Sequence, residues 1–146
     1  MKKIPADVSE LKQAFHQHLK AHRSITGLSS YLLLFYAAEC GLKSIYLRRN
    51  YLQTTEDFQD RIKKYGHNLD SWCKELDIPA SQLTVKTQTK NKSTPSFHLA
   101  CDGSIRNIGA AHQVWRYGIT IKKEDEEDLI DWLHQLCNWI KENISR

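Results

Sequence analysis

The sequence predicts an all-α protein, an antiparallel bundle of about five helices, and two observations carry that expectation. The first is Tyr31-Leu32-Leu33-Leu34-Phe35-Tyr36-Ala37-Ala38. At about 100° per residue these side chains cover a full helical circumference, the pattern of a helix enclosed by others. The second is the pair of apolar stripes at helical spacing near the two ends of the chain, one through Val8, Leu11, Phe15 and Leu19 and one from Leu129 to Ile144. With 146 residues, 40% of them hydrophobic, the chain is long enough for one domain with a real core and too short for two, so residues 1-146 are expected to form a single unit.

Each element follows in order. Pro5 to about Ala21 reads as the first helix, opened by Asp7-x-x-Glu10 in the manner of a capping box. His18 and His22 stand one turn apart beside its stripe, but no third ligand follows at a recognisable spacing. They read as a helix flank, and no metal or other cofactor is expected. Ser24 to about Arg49 is the central helix. On it Glu39 shares a side with Leu28, Leu32 and Tyr46, so a carboxylate faces packed neighbours and needs a partner. Lys43, one turn on, is the local candidate; an arginine from elsewhere is the other.

Thr54-Thr55-Glu56-Asp57 caps a short helix through Phe58 and Ile62 that Gly66 ends, and Asn68 caps another through Leu69, Trp72, Cys73 and Leu76. His67, in the turn between them, reads as a capping or packing residue. From Ala80 to Ser96 a loop or small hairpin is expected, because Leu83 to Gln88 alternates like a strand. Its Lys86, Lys90 and Lys92 either follow a phosphate backbone or simply solvate the loop. A helix is expected from Asp102-Gly103-Ser104 to Gly118, weakened by Gly109. The last helix runs from Thr120 to Ser145 with apolar residues over about 180° of its surface. Trp132 and Trp139 on its flank either extend onto a subunit interface, which predicts a homodimer, or form a core edge.

Charge and cysteine usage narrow the function classes. The net charge of +4 conceals an acidic helix start: Glu124, Asp125, Glu126, Glu127, Asp128 and Asp131 hold six of the seventeen acidic residues, and the rest of the chain sets 21 basic against 11 acidic, or +10. A basic body suits a polyanion, although an acidic first turn also complements the helix dipole. No apolar run exceeds eight residues, so neither a signal peptide nor a membrane span is expected. Cys40, Cys73, Cys101 and Cys137 are scattered without C-x-x-C spacing, which reads as reduced thiols and a cytoplasmic protein.

The candidate chemistry lies in Arg106-Asn107-Ile108-Gly109-Ala110-Ala111-His112. An arginine grips a phosphate oxygen with a fixed fork of donors and a histidine moves a proton near neutral pH, two requirements of phosphodiester cleavage without a metal. With seven Arg and seven His such a spacing arises roughly once by chance, and a second copy exists, Arg61 to His67. Asn107 after the arginine favours the first copy. If that stretch is one helix, six residues separate Arg106 from His112 by roughly 240°, so they do not share a face and a second chain would have to complete the site. Arg116-Tyr117-Gly118 is the alternative ordered element.

Taken together, Tyr36-Ala37-Ala38-Glu39-Cys40-Gly41-Leu42-Lys43, Gly66-His67-Asn68-Leu69 and Arg106-Asn107 leading to His112 resemble a HEPN domain over nearly the whole chain. The resemblance implies a helical bundle that pairs as a homodimer, and a metal-independent endoribonuclease of a toxin–antitoxin or antiviral defence system. It also implies site roles: His112 as acid or base, Arg106 on the scissile phosphate, Asn107 as a further hydrogen bond, and Glu39 orienting Arg106. Lys86, Lys90, Lys92 and Arg116 are the basic residues read as candidates to bind the RNA. Family members with imperfect motifs act instead as non-catalytic binding or regulatory subunits of a larger defence or toxin–antitoxin partner.

Overall fold

Two helices joined by a short turn, α1 (Val8–Ser24) and α2 (Leu28–Arg49), set the frame of this computed structural model, which describes residues 4–85 and 95–145. Asp7 opens α1: its carboxylate accepts from the Glu10 amide and the Glu10 carboxylate accepts from the Asp7 amide, closing the expected capping box. The chain turns at Gly27, whose φ of 87° suits glycine, so α2 starts at Leu28 rather than Ser24. Ser44 donates to the Val8 carbonyl at the far end of this hairpin while His22 meets Ser30 at the near end, which fixes α1 and α2 antiparallel.

The last helix, α6 (Lys123–Asn143), lies against α2 in the opposite sense from the expectation of a wholly antiparallel bundle. Gly41 packs on Ile140, and farther along both helices Arg48 donates to the Ile144 carbonyl, so α2 and α6 run parallel. A long crossover of shorter elements makes that possible. It holds α3 (Asp60–Lys63), α4 (Leu69–Glu75), the two-residue antiparallel pair β1 (Phe97–His98) and β2 (Ile105–Arg106), and α5 (Ala111–Tyr117).

α2 is central as its pattern predicts, touching α1, α4, α5 and α6. Leu34, Phe35, Ala37, Ala38, Leu42 and Leu47 on it are sealed from solvent. At Gly41 a Cβ would stand 2.5 Å from the Ile140 side chain and 3.0 Å from Phe15, so the three long helices meet where only glycine fits.

Several local expectations change. Phe58 lies outside any helix, after a 3-10 turn at Thr55–Asp57. The expected helix from Asp102 starts only at Ala111, because residues 105–106 pair with β1 and a 3-10 turn takes Ile108–Ala110. Gly118 ends α5 in the left-handed conformation, as read from the sequence. Trp132 and Trp139 are both buried within the chain, so of their two readings the core edge is the one the structure shows. The acidic start of α6 has internal partners: Asp125 accepts from the His98 amide and Glu126 from the Trp115 indole. Lys86, Lys90 and Lys92 lie outside the described residues. Among the described residues no helix is long and apolar enough to cross a membrane.

Candidate functional site

The fold brings together the two histidines of the two Arg-to-His stretches and sends both arginines elsewhere. His67 and His112 stack with ring centroids 4.1 Å apart and planes tilted by 38°. Local backbone chemistry explains the meeting. Gly66 turns the chain with φ of 52°, its carbonyl accepts from the Trp72 indole, and Asn68 caps α4 through the Asp70 and Ser71 amides, which fixes His67 between two anchored neighbours. On the other side Asn107 accepts from the Gly109 amide to start the 3-10 turn. Gly109 presses against Asn68: a Cβ there would stand 3.1 Å from the Asn107 side chain and 3.6 Å from the Asn68 backbone. That close approach sets α5, and His112 with it, beside the His67 turn. The glycine that weakens a helix is therefore the contact residue of the site.

Glu39 reaches this pair from α2. Its Oε1 accepts from His67 Nδ1 at 2.5 Å and its Oε2 from Lys43 at 3.2 Å. The local lysine is thus one partner, as considered, and the second is a histidine rather than Arg106. Burial alone would raise the Glu39 carboxyl, but the His67 hydrogen bond and the nearby Lys43 charge outweigh it and hold the group below its ordinary value. With Nδ1–H of His67 donated to the carboxylate, Nε2 is the nitrogen left for other work, and the His67 side chain is 46% exposed.

His112 is the buried member at 5% exposure, packed on Phe35 as well as His67. Burial, then the neighbouring His67 and Arg116 charges, push its pKa below the ordinary imidazole value; Glu39 and the Gly109 backbone pull weakly the other way. Nδ1 of this ring is buried, and the Gly109 backbone is the polar group that acts on it, with no other partner among the described residues. A neutral imidazole therefore lies under His67.

The cation of the site is Arg116, on the exposed face of α5, one helical turn after His112. It donates to the Tyr36 hydroxyl at 2.8 Å and lies 5.9 Å over the Tyr117 ring. Arg106, by contrast, is exposed on β2 and donates to the carbonyl of its own neighbour Ile105 at 3.0 Å. Asn107 is a capping residue. Arg61 of the other stretch is also occupied, paired with Glu75 and hydrogen-bonded to Tyr65. Of the expected site, then, Glu39, His112 and Arg116 converge, while Arg106 diverges and Asn107 serves the backbone.

His67 and Tyr36 are the members that sequence reasoning passed over. The signal for His67 is the buried Glu39, which demands a partner that histidine can supply as well as lysine or arginine. His18 and His22 form no ligand pair: His18 meets the Tyr36 ring and His22 turns to Ser30. The four cysteines are free thiols, with Cys73 and Cys137 each raised to about 12 by burial. Against protein-family models, curated proteins and solved structures, the chain finds no match.

Proposed function

We propose that the protein is a HEPN-like, metal-independent endoribonuclease whose reacting groups are His67, His112 and Arg116, with Glu39 positioning His67. The observation that carries this reading is the 4.1 Å contact of two histidines, one tied to a carboxylate and one held neutral, beside an arginine. Two imidazoles in contact share one proton more cheaply than they hold two, so a donor and an acceptor stand side by side. A single chain thereby supplies what Arg106 and His112 would have needed a second copy to supply.

The chemistry balances on these groups. His112 accepts the proton of the ribose 2′-hydroxyl, the freed oxygen attacks phosphorus, and the bond from phosphorus to the 5′-oxygen breaks. His67 gives its proton to the departing 5′-oxygen, and Arg116 holds a non-bridging oxygen as charge builds on the phosphate. The products are a 2′,3′-cyclic phosphate and a 5′-hydroxyl. The proposed setting is cytoplasmic, in a toxin–antitoxin or antiviral defence system, with RNA as the partner along the basic surface. The proposed homodimer and larger protein partner rest on the family resemblance.

Purified protein incubated with total cellular RNA in chelator tests the reading: cleavage is expected, with cyclic-phosphate ends, and DNA is expected to resist because it lacks the 2′-hydroxyl. Arg106→Ala should cut within a few-fold of wild type and Arg116→Lys should fail, since a point charge does not reproduce the planar fork. The reverse outcome for those two variants returns the site to Arg106. The low exposure of His112 and its buried Nδ1 favour the second reading, a non-catalytic binding or regulatory subunit in which the stacked rings are packing. Intact RNA under every condition selects it.

A further inference from the structure

Beside Glu39 a cavity of about 600 Å³ opens between α2, the residues 4–6 that precede α1, and the turn carrying Gly66. Its volume falls in the range of small-molecule sites, about 300 to 1,000 Å³. The walls are mainly apolar: Leu11, Phe58, Ile62 and Trp72 are all buried core residues that also line it. Phe58 and Trp72 stand 5.5 Å apart and Tyr46 packs edge-on to both, so the aromatic wall is rigid.

The polar groups on the cavity decide what it fits. Glu39 lines it, but its two oxygens are already taken by His67 and Lys43, so it has little to offer a cation. Lys43, half-buried, spends one of its three donors on Glu39, and Lys63 at the mouth makes no ion pair among the described residues. Glu56 and Lys63 both line the cavity and are both exposed, where water and salt screen them alike and far more than they screen Lys43. The unspent capacity is therefore chiefly that of the half-buried Lys43 ammonium above an apolar floor, with Lys63 adding charge at the rim.

We propose that this cavity binds a small molecule with a flat apolar body and one anionic group, held by Lys43 and Lys63, and that its occupancy is felt at His67 through Glu39. The link is mechanical and short. An anion that draws Lys43 away leaves Glu39 leaning on His67 alone, and the ring that stacks on His112 is the one that responds.

Two fluorescent probes with the same fused-ring body test the assignment: 8-anilinonaphthalene-1-sulfonate, which is anionic, and N-phenyl-1-naphthylamine, which is not. The sulfonate should bind one to one and more tightly than the amine. Lys63→Glu and Lys43→Gln should each weaken it about tenfold while moving the amine less than about twofold. Lys63 is exposed, so its variant keeps the fold even where loss of the Glu39 partner disturbs the Lys43 variant. Equal affinity for the two probes, no binding up to about 1 mM, or sulfonate binding unchanged in Lys63→Glu overturns the site. The His67 ring-proton signal of the wild type should shift on titration with sulfonate, and an unmoved signal overturns the coupling. No RNA enters these measurements, so their outcome is separate from that of the cleavage test.

Discussion

The described residues hold two histidine pairs, and their surroundings differ more than their geometry. His22 and His134 approach with ring centroids 5.0 Å apart and a 52° tilt, against 4.1 Å and 38° for His67 and His112. In each pair one ring is pushed below the ordinary imidazole value by burial first and by its partner second, His134 in one case and His112 in the other. The ring beside it tells them apart. His22 spends Nδ1 on the Ser30 carbonyl, and the Ser30 hydroxyl donates to the His22 carbonyl, so this pair stitches the end of α1 to the start of α2. His67 instead spends Nδ1 on a carboxylate and keeps an exposed face; charges lie near both pairs, Arg116 and Glu39 by His112, and Arg23, Lys141 and Asp131 by His134. A histidine pair becomes a candidate acid and base when one ring is hydrogen-bonded to a carboxylate and keeps a face open to solvent.

The largest effect expected from that difference is on cleavage. His67→Ala and His112→Ala should each lower the rate of RNA cutting by about 10² to 10⁴, the usual cost of removing a positioned acid or base, whereas His134→Ala should leave it within a few-fold. Gel assays under single-turnover conditions read all three. Comparable loss in His134→Ala would dissolve the distinction between the two pairs.

Next in size is the contact that assembles the site. Gly109→Ala places a methyl 3.1 Å from the Asn107 side chain, which must give by a few tenths of an ångström, and in ordinary contact with the Asn68 backbone at 3.6 Å, so the turn that carries α5 and His112 is nudged. A displacement of order 1 Å costs up to about 10² in rate, so a shift of a few tenths should lower cleavage by about 2- to 5-fold. The melting temperature should fall only slightly, since the core under α2 is untouched. The matching test at the other pair is Ser30→Ala. It removes a buried hydroxyl bond and should cost about 1 to 2 kcal/mol in urea unfolding with cleavage unchanged. Lost activity in Ser30→Ala, or full activity in Gly109→Ala, contradicts the assignment of structural and reactive roles.

These elements also mark how far the sequence is legible. The Asp7 capping box and the all-round apolar surface of α2 are local or periodic features, and both stand as read. The burial of Glu39 follows from helical phase and was legible too. Its partner was not, because His67 lies 28 residues away in a loop whose path is set by contacts rather than by propensity. The same holds for Arg106. Two residues of strand pairing with Phe97 and His98 leave no periodic trace, yet they turn the arginine out of the site. Parallel packing of α6 on α2 was hidden for a similar reason: the crossover that allows it is built of elements too short to announce themselves.

The smallest expected effect is on stability against pH, and it sharpens the comparison because both pairs contribute with the same sign. His112 and His134 have folded pKa values below the ordinary 6.5 that they regain on unfolding. The unfolded chain therefore binds more protons than the native one in the interval beneath 6.5, and stability rises with pH there. Their contribution is complete above about 6.5 and is lost as pH falls through that value toward the folded pKa values. For His134 the opposing charges are His22, Arg23 and Lys141, with Asp131 acting in favour of protonation; for His112 they are His67 and Arg116, with Glu39 in favour. Melting temperatures taken from pH 8 down to about 5 should fall most steeply below about 6.5 in the wild type. His134→Asn should flatten that fall while leaving RNA cleavage intact, and His112→Asn should flatten it while abolishing cleavage. If neither variant changes the slope, the two rings are not the groups that titrate on unfolding, and a neutral His112 as proton acceptor loses its support.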